Sequence, residues 1–238
     1  MKTGMKLLQV VVKLLYPNRC VFCERLCENA VCEQCKRELV YVNEPRCKKC
    51  GKSIRYDTQE YCHDCESREK AFDVGRSLWV HKGIVAESLY RFKYHKRIAN
   101  AKTYAEELVK RYEKHIYRWG IDEIIPVPVH KKRMEKRGFN QAEVIAEYVS
   151  ENLRIPINRN AALRTVHTKP QKHLSGKRRR QNLRGAFRMK KNARVSGNIL
   201  LIDDIYTTGS TLEELAFILK QAGARKVCFL TISIGQGM

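Results

Sequence analysis

Three features predict an α/β protein, with a mainly parallel sheet flanked by helices, behind a small N-terminal cysteine-rich zinc module. Nine of the ten cysteines lie between positions 20 and 65. Beyond residue 72, apolar runs of strand length alternate with stretches of helical periodicity. The run Leu200-Leu201-Ile202-Asp203-Asp204-Ile205-Tyr206-Thr207-Thr208-Gly209-Ser210-Thr211 then places two carboxylates and a hydroxyl-rich turn between an apolar strand and a helix.

Residues 1–17 read as an apolar packing helix. The run is broken by Lys6 and Lys13, stops at Pro17, and is too short to span a bilayer. A secretory leader would end in a small-residue cleavage site, whereas Asn18-Arg19-Cys20 leads straight into a cysteine motif. A cytoplasmic protein with no stable membrane insertion is expected.

Residues 18–70 form the zinc module, a double-ribbon arrangement. Eight cysteines fall into four C-x2-C pairs: Cys20/Cys23, Cys32/Cys35, Cys47/Cys50 and Cys62/Cys65. Two cysteines three apart on a tight turn aim both thiolates at one ion, and two such turns complete the tetrahedron that Zn²⁺ favours. Successive pairing would place the first four on one zinc and the last four on a second, with interleaved pairing as the alternative. Cys27 and His63 lie inside the cluster as bystanders. Two structural zincs with all-sulfur ligand sets leave no open position for catalysis, and chelation is expected to unfold this module while the second domain stays folded.

Residues 71–238 form the α/β domain. Strands are expected over 74–80, 123–129, 198–202 and 226–234, and helices over 84–94, 99–119, 140–152 and 210–222. Alternation at this spacing implies a parallel sheet covered on both faces. Gly209 permits a tight turn close to an anion, and a helix start beyond it offers N–H groups and positive potential. Thr207, Thr208, Ser210 and Thr211 add hydroxyl donors. Asp203 and Asp204 are placed to accept hydrogen bonds from sugar hydroxyls or to hold Mg²⁺ through water. The alternative is a strand end with an acidic turn and an N-capping hydroxyl.

Charge points to a polyanionic partner: 47 Lys and Arg stand against 25 Asp and Glu. Between Arg154 and Arg194 there are 14 basic residues and no acid, whereas residues 1–70 hold 14 basic and 10 acidic ones. The sharpest run is Lys177, Arg178, Arg179 and Arg180, in a stretch expected to be a mobile loop or short helix. A second stretch, Arg91, Phe92, Lys93, Tyr94, Lys96 and Arg97, interleaves rings with cations, a composition able to stack bases while tracking phosphates. On a helix, Phe92 could equally face the core.

The run at 200–211 resembles the signature of type I phosphoribosyltransferases. That resemblance implies that Asp203 and Asp204 contact the ribose diol and that Thr207, Thr208, Gly209, Ser210 and Thr211 cradle the 5-phosphate. With the four cysteine pairs, Arg91-Phe92-Lys93-Tyr94, Pro126-Val127-Pro128 and Arg137-Gly138-Phe139-Asn140-Gln141, residues 18 to 234 resemble the ComF family of natural-competence proteins. The family implies a phosphoribosyltransferase-type domain and the handling of single-stranded DNA in transformation. In that fold Lys131, Arg133 and Arg137 lie on the pyrophosphate side, equally suited to a DNA backbone.

Thr207 stands where purine phosphoribosyltransferases commonly carry an acid that serves the base, and the acid-free segment replaces the base-recognising hood. Both departures speak against purine salvage. Two rival functions follow: an active transferase using phosphoribosyl diphosphate and Mg²⁺ on an unidentified acceptor, and a zinc-mediated docking partner of a DNA-uptake helicase or channel protein.

Overall fold

The computed structural model describes residues 18–166 and 185–235. The helix expected over 1–17 and the run Lys177–Arg180 lie outside the described residues. Two short helices, α1 (Glu33–Glu38) and α2 (His63–Glu66), each begin within a C-x2-C turn of the zinc module. The second unit runs β1 (Val74–Val80), α3 (Gly83–Tyr94), α4 (Asn100–Trp119), β2 (Glu123–Pro126), α5 (Lys131–Arg137) and α6 (Gln141–Leu153). It continues with β3 (Ala162–Arg164), β4 (Phe187–Met189), β5 (Gly197–Tyr206), α7 (Ser210–Gln221) and β6 (Ala224–Ile234).

Four strands form a parallel sheet in the order β1-β6-β5-β2. Strand β5 is buried on both faces, as its unbroken apolar run requires. Leu200 and Ile202 enter one core with α4 and α6, while Ile199 and Leu201 enter the other with α7. Helix α4 buries Ala101, Tyr104, Leu108, Tyr112 and Ile116 at helical spacing and stops at Gly120, whose φ of 61° suits glycine. No helix of the described residues is long and apolar enough to cross a membrane.

Most expected elements are present, with informative differences. Strand β2 ends at Pro126, three residues early; the Val127 N–H still donates to Ile202 O at 2.9 Å just beyond its last paired position. Strand β5 runs four residues further than expected, since β6 keeps pairing with it: Asp203 lies opposite Thr231 and Ile205 opposite Ser233. Helix α5, Lys-Lys-Arg-Met-Glu-Lys-Arg, has no apolar face to announce it. It is fixed by its ends: His130 Nδ1 accepts from the Lys132 N–H at 3.2 Å, and Gly138 closes it with a φ of 82°. The three-residue strands β3 and β4 pair in antiparallel fashion within the acid-free segment.

The zinc module is built into the edge of this sheet. Residues 40–42 run antiparallel to β1, with Val80 N donating to Val40 O at 2.8 Å and Val42 N to Leu78 O at 3.2 Å. On one face Phe22 of the first ribbon packs edge-on against Trp79, ring centroids 5.3 Å apart. On the other, Gly75 N donates to Lys49 O of the second ribbon at 2.7 Å. Gly75 has to lack a side chain: a Cβ there would sit 2.0 Å from the ring of Phe229.

Candidate ligand pocket and metal centres

A cavity of about 330 Å³ opens at the carboxyl end of β5, within the size range of small-ligand sites. Five elements supply its wall: Lys93 and Tyr94 from α3, Arg133 and Arg137 from α5, Asn140 and Gln141 at the start of α6, Arg164 from β3, and Asp203, Asp204, Thr207 and Thr211 from β5 and the turn into α7. Thr208, Gly209 and Ser210 belong to the same turn but do not line the cavity. Gly209 adopts a φ of 72°, and the Thr208 and Ser210 hydroxyls are 2.8 Å apart.

Lys93 Nζ lies 2.8 Å from Asp204 Oδ2, and both side chains are largely buried. Asp203 Oδ1 accepts from the Asp204 N–H at 2.8 Å. Burial, then the negative charge of Asp204, raises the Asp203 carboxyl to about 7. Arg137 donates to Gln141 Oε1 at 2.7 Å and to Tyr94 Oη at 3.1 Å, with its guanidinium over the Tyr94 ring. Burial would raise the Tyr94 phenol, but the hydrogen bond and charge of Arg137 outweigh it and the net shift is downward.

Arg164 is lowered to about 10 by burial and then by the neighbouring charge of Arg133; Arg133 is lowered by burial and then by Arg137. Four cations therefore line one cavity with two carboxylates, one of them easily protonated. Positive charge concentrated in one cleft attracts multiply charged anions.

The sequence-predicted residues divide. Asp203, Asp204, Thr207, Thr211, Arg133 and Arg137 share the cavity, whereas Lys131 lines a neighbouring one beyond Pro128 and Val129. The aromatic-basic stretch on α3 is not one DNA-tracking surface. Phe92 is fully buried between Tyr104 and Phe139, which corrects its assignment as a base-stacking ring: burying a phenyl group gives about 1.5–3 kcal/mol that an exposed position forgoes. Lys93 turns into the pocket. Arg91 donates to Phe22 O and lies 3.8 Å from Glu24 Oε2, and Arg97 pairs with Glu24 Oε1 at 2.6 Å, so both tie α3 and its following loop to the first ribbon. Tyr94 and Lys96 remain exposed.

Sequence reasoning missed Lys93, Asn140, Gln141 and Arg164 as pocket residues, and Tyr90 as a surface ring. Tyr90 is exposed and lies 5.0 Å from Tyr94 and 5.5 Å from His95, centroid to centroid. The spacing of Tyr90 and Tyr94, one helical turn apart, carried the signal for that pair. Nothing local marks Arg164.

The cysteines form two clusters by successive pairing, Cys20, Cys23, Cys32 and Cys35 in one, Cys47, Cys50, Cys62 and Cys65 in the other. Within each, the sulfurs lie within 4.8 Å of one another. A tetrahedral zinc with Zn–S of about 2.3 Å requires sulfurs about 3.8 Å apart. Cys23 and Cys32 Sγ are 3.7 Å apart and Cys50 and Cys62 Sγ are 3.6 Å apart, so both clusters fit the ion. The Cys32 and Cys50 N–H groups point at Cys20 and Cys47 Sγ at 3.4 and 3.5 Å, an arrangement that stabilises thiolates. Neither Cys27, whose thiol donates to Asn29 O at 2.7 Å, nor His63 belongs to a cluster.

A family model described as a double zinc ribbon domain matches residues 11–66. Competence protein F of Haemophilus influenzae is 32% identical over 217 residues, covering 88% of this chain and 93% of its own. Competence protein ComFC of Bacillus subtilis is 29% identical over 203 residues, covering 82% and 80%. The DNA utilization protein YhgH of Escherichia coli K12 is 37% identical over 107 residues, covering 44% and 46%. Among solved structures, a purine phosphoribosyltransferase from Pyrococcus horikoshii superimposes with a TM-score of 0.36 at 14% identity, over 55% of this chain and 83% of that one. With two four-cysteine zinc-binding sites and a relative matching almost end to end, the chain belongs to the ComF family of competence proteins.

Proposed function

We propose that this protein handles single-stranded DNA in the cytoplasm during natural transformation, and that its cleft binds a 5-phosphorylated ribose such as phosphoribosyl diphosphate. The observation that carries the second part is the convergence of Lys93, Arg133, Arg137 and Arg164 on the Asp203–Asp204 pair, beside the turn that opens α7. A 5-phosphate would take the hydroxyls of Thr207 and Thr211 and N–H groups of the turn between them. The ribose hydroxyls would donate to Asp203 and Asp204, and a diphosphate would lie against Arg133 and Arg137. Mg²⁺ entering with the diphosphate would be held through water by the acidic pair, Lys93 yielding its place on Asp204.

A binding role is favoured over transfer to a nucleobase because Thr207 offers no acid or base at its loop position, and Asp203, the one pocket carboxyl raised to about 7, is taken by the ribose hydroxyls in this reading. For DNA, the names of the competence and DNA-utilization relatives agree with the surplus of cations between Arg154 and Arg194 and with the exposed rings of Tyr90, Tyr94 and His95 beside the pocket mouth. The test is equilibrium binding of a labelled oligonucleotide titrated with salt, beside calorimetry with phosphoribosyl diphosphate. Steep salt dependence with weak sequence preference is expected; an affinity indifferent to salt would remove the DNA assignment.

A further inference from the structure

The two cysteine clusters are placed unequally. The first packs on α3 and α4: Ser88 Oγ and Asn100 Nδ2 both donate to Val21 O, on the sheet face away from the turn that opens α7. The second shares its buried surroundings with Tyr206, the last residue of β5 and the one directly before that turn.

Tyr206 is only 2% exposed, and its ring lies parallel to that of Phe229, 5.2 Å away at 9°. Its hydroxyl end is directly under Gly209: a Cβ on that residue would stand 2.4 Å from Tyr206 Oη and 2.7 Å from Cζ. The phenol shares its buried cluster with Cys47, Cys50 and Cys62, and its hydroxyl is within interaction reach of the Cys50 thiol. A second tie runs from the linker beyond Cys65, where Ala71 N donates to Glu213 Oε1 at 3.2 Å, and Glu213 N in turn donates to Gly209 O at 2.8 Å. The turn therefore rests on a phenol whose hydroxyl also faces Cys50, and is tied to the same module through Glu213.

We infer that Tyr206 is a positioning residue coupling the two sites, so that zinc on Cys47, Cys50, Cys62 and Cys65 holds the turn at Gly209 in its anion-binding geometry. Zinc fixes the four sulfurs and hence the place of the Cys50 thiolate against which the hydroxyl packs. Its loss frees that thiolate, the phenol loses its seat, and the turn above it relaxes. Outer contacts of this kind orient metal ligands, and coupling between two binding sites is reciprocal, so an anion in the turn should also retain the second zinc. The inference rests on reading Thr207–Thr211 as an anion-binding turn.

The test uses the full chain carrying two zincs, phosphoribosyl diphosphate as the probe, calorimetry for binding, and a chromogenic chelator for metal release. The phase belonging to the second site is identified with Cys62→Ser. Ligand should slow that phase and leave the other alone. Tyr206→Phe should speed it on the order of 10- to 100-fold, weaken ligand binding, and leave the first site unchanged. In cobalt-substituted protein, ligand should shift the thiolate charge-transfer band of one site in wild type and not in Tyr206→Phe, a signature that a general loss of stability would not produce. Release rates and cobalt bands indifferent to bound ligand, with Tyr206→Phe like wild type, would overturn the coupling. If calorimetry detects no binding, the anion reading fails by itself, and Gly209→Ala decides the coupling: its Cβ displaces the phenol, so faster loss of the second zinc sustains it and unchanged loss overturns it.

Discussion

Lys93 of α3 and Asp204 of β5 meet at 2.8 Å inside the pocket, joining a residue expected on a DNA-binding face to one expected to hold a sugar. The ammonium already occupies the carboxylate that a hydrated divalent cation would use. Its removal should raise the dependence of ligand binding on Mg²⁺. In Lys93→Met the ratio of affinities with and without Mg²⁺ should rise well above the wild-type ratio, whereas Asp204→Ala should lose the Mg²⁺ effect. Calorimetry at several Mg²⁺ concentrations measures both.

Asp203 gives a pH signature. Its carboxyl is raised in the folded protein to about 7 from an ordinary value of 3.8, so the folded state binds this proton more tightly than the unfolded one. Stability from this group is complete below the unfolded value and falls as pH rises from about 4 to 7. Asp203→Asn should therefore raise Tm relative to wild type at pH 8 and lose most of that advantage by pH 4. Thermal unfolding across this range is the check.

Buried and exposed rings on α3 should behave differently. Phe92→Ala should cost about 3–5 kcal/mol of stability by opening a core cavity. Tyr90→Ala and Tyr94→Ala should leave the fold intact and weaken binding of single-stranded DNA by about 1–3 kcal/mol per stacked base, with the salt slope unchanged because stacking releases no counterions. Alanine at Lys177, Arg178, Arg179 and Arg180 should instead flatten the log–log salt slope, by about 0.7 for each phosphate no longer neutralised. Urea unfolding and fluorescence anisotropy separate the effects.

Zinc analysis should return two ions per chain. Chelation, expected from sequence to spare the second domain, should disturb it, because Phe22 covers Trp79 and residues 40–42 pair with β1. In a Trp119→Phe background, the emission of fully buried Trp79 should shift to the red when metal is withdrawn.

The alternating pattern made the sheet legible because its central strands are buried on both faces and its long helices are amphipathic. The cysteine spacing likewise identified both metal sites, since ligand geometry is local to each turn. What escaped depends on distant packing. Phe92 and Lys93 are neighbours in one helix, and only the position of α3 over β5 sends one to the core and the other to Asp204. Arg164 reaches the pocket from a three-residue strand with no pattern of its own, and α5 is held by its capping ends rather than by an apolar face. Tyr206 meets the second cluster at Cys50, 156 positions earlier in the chain and beyond the reach of any local motif.

Calorimetric titration of the zinc-loaded protein with phosphoribosyl diphosphate tests the central claim most directly, with Thr207→Val and Thr211→Val as near-isosteric controls. One ligand should bind per chain, each variant should weaken it by about 1–2 kcal/mol through loss of a hydroxyl donor to a charged group, and bound ligand should raise Tm. Absence of binding at millimolar ligand in a folded, zinc-loaded chain, or binding that both variants leave unchanged, would contradict the assignment of this cleft.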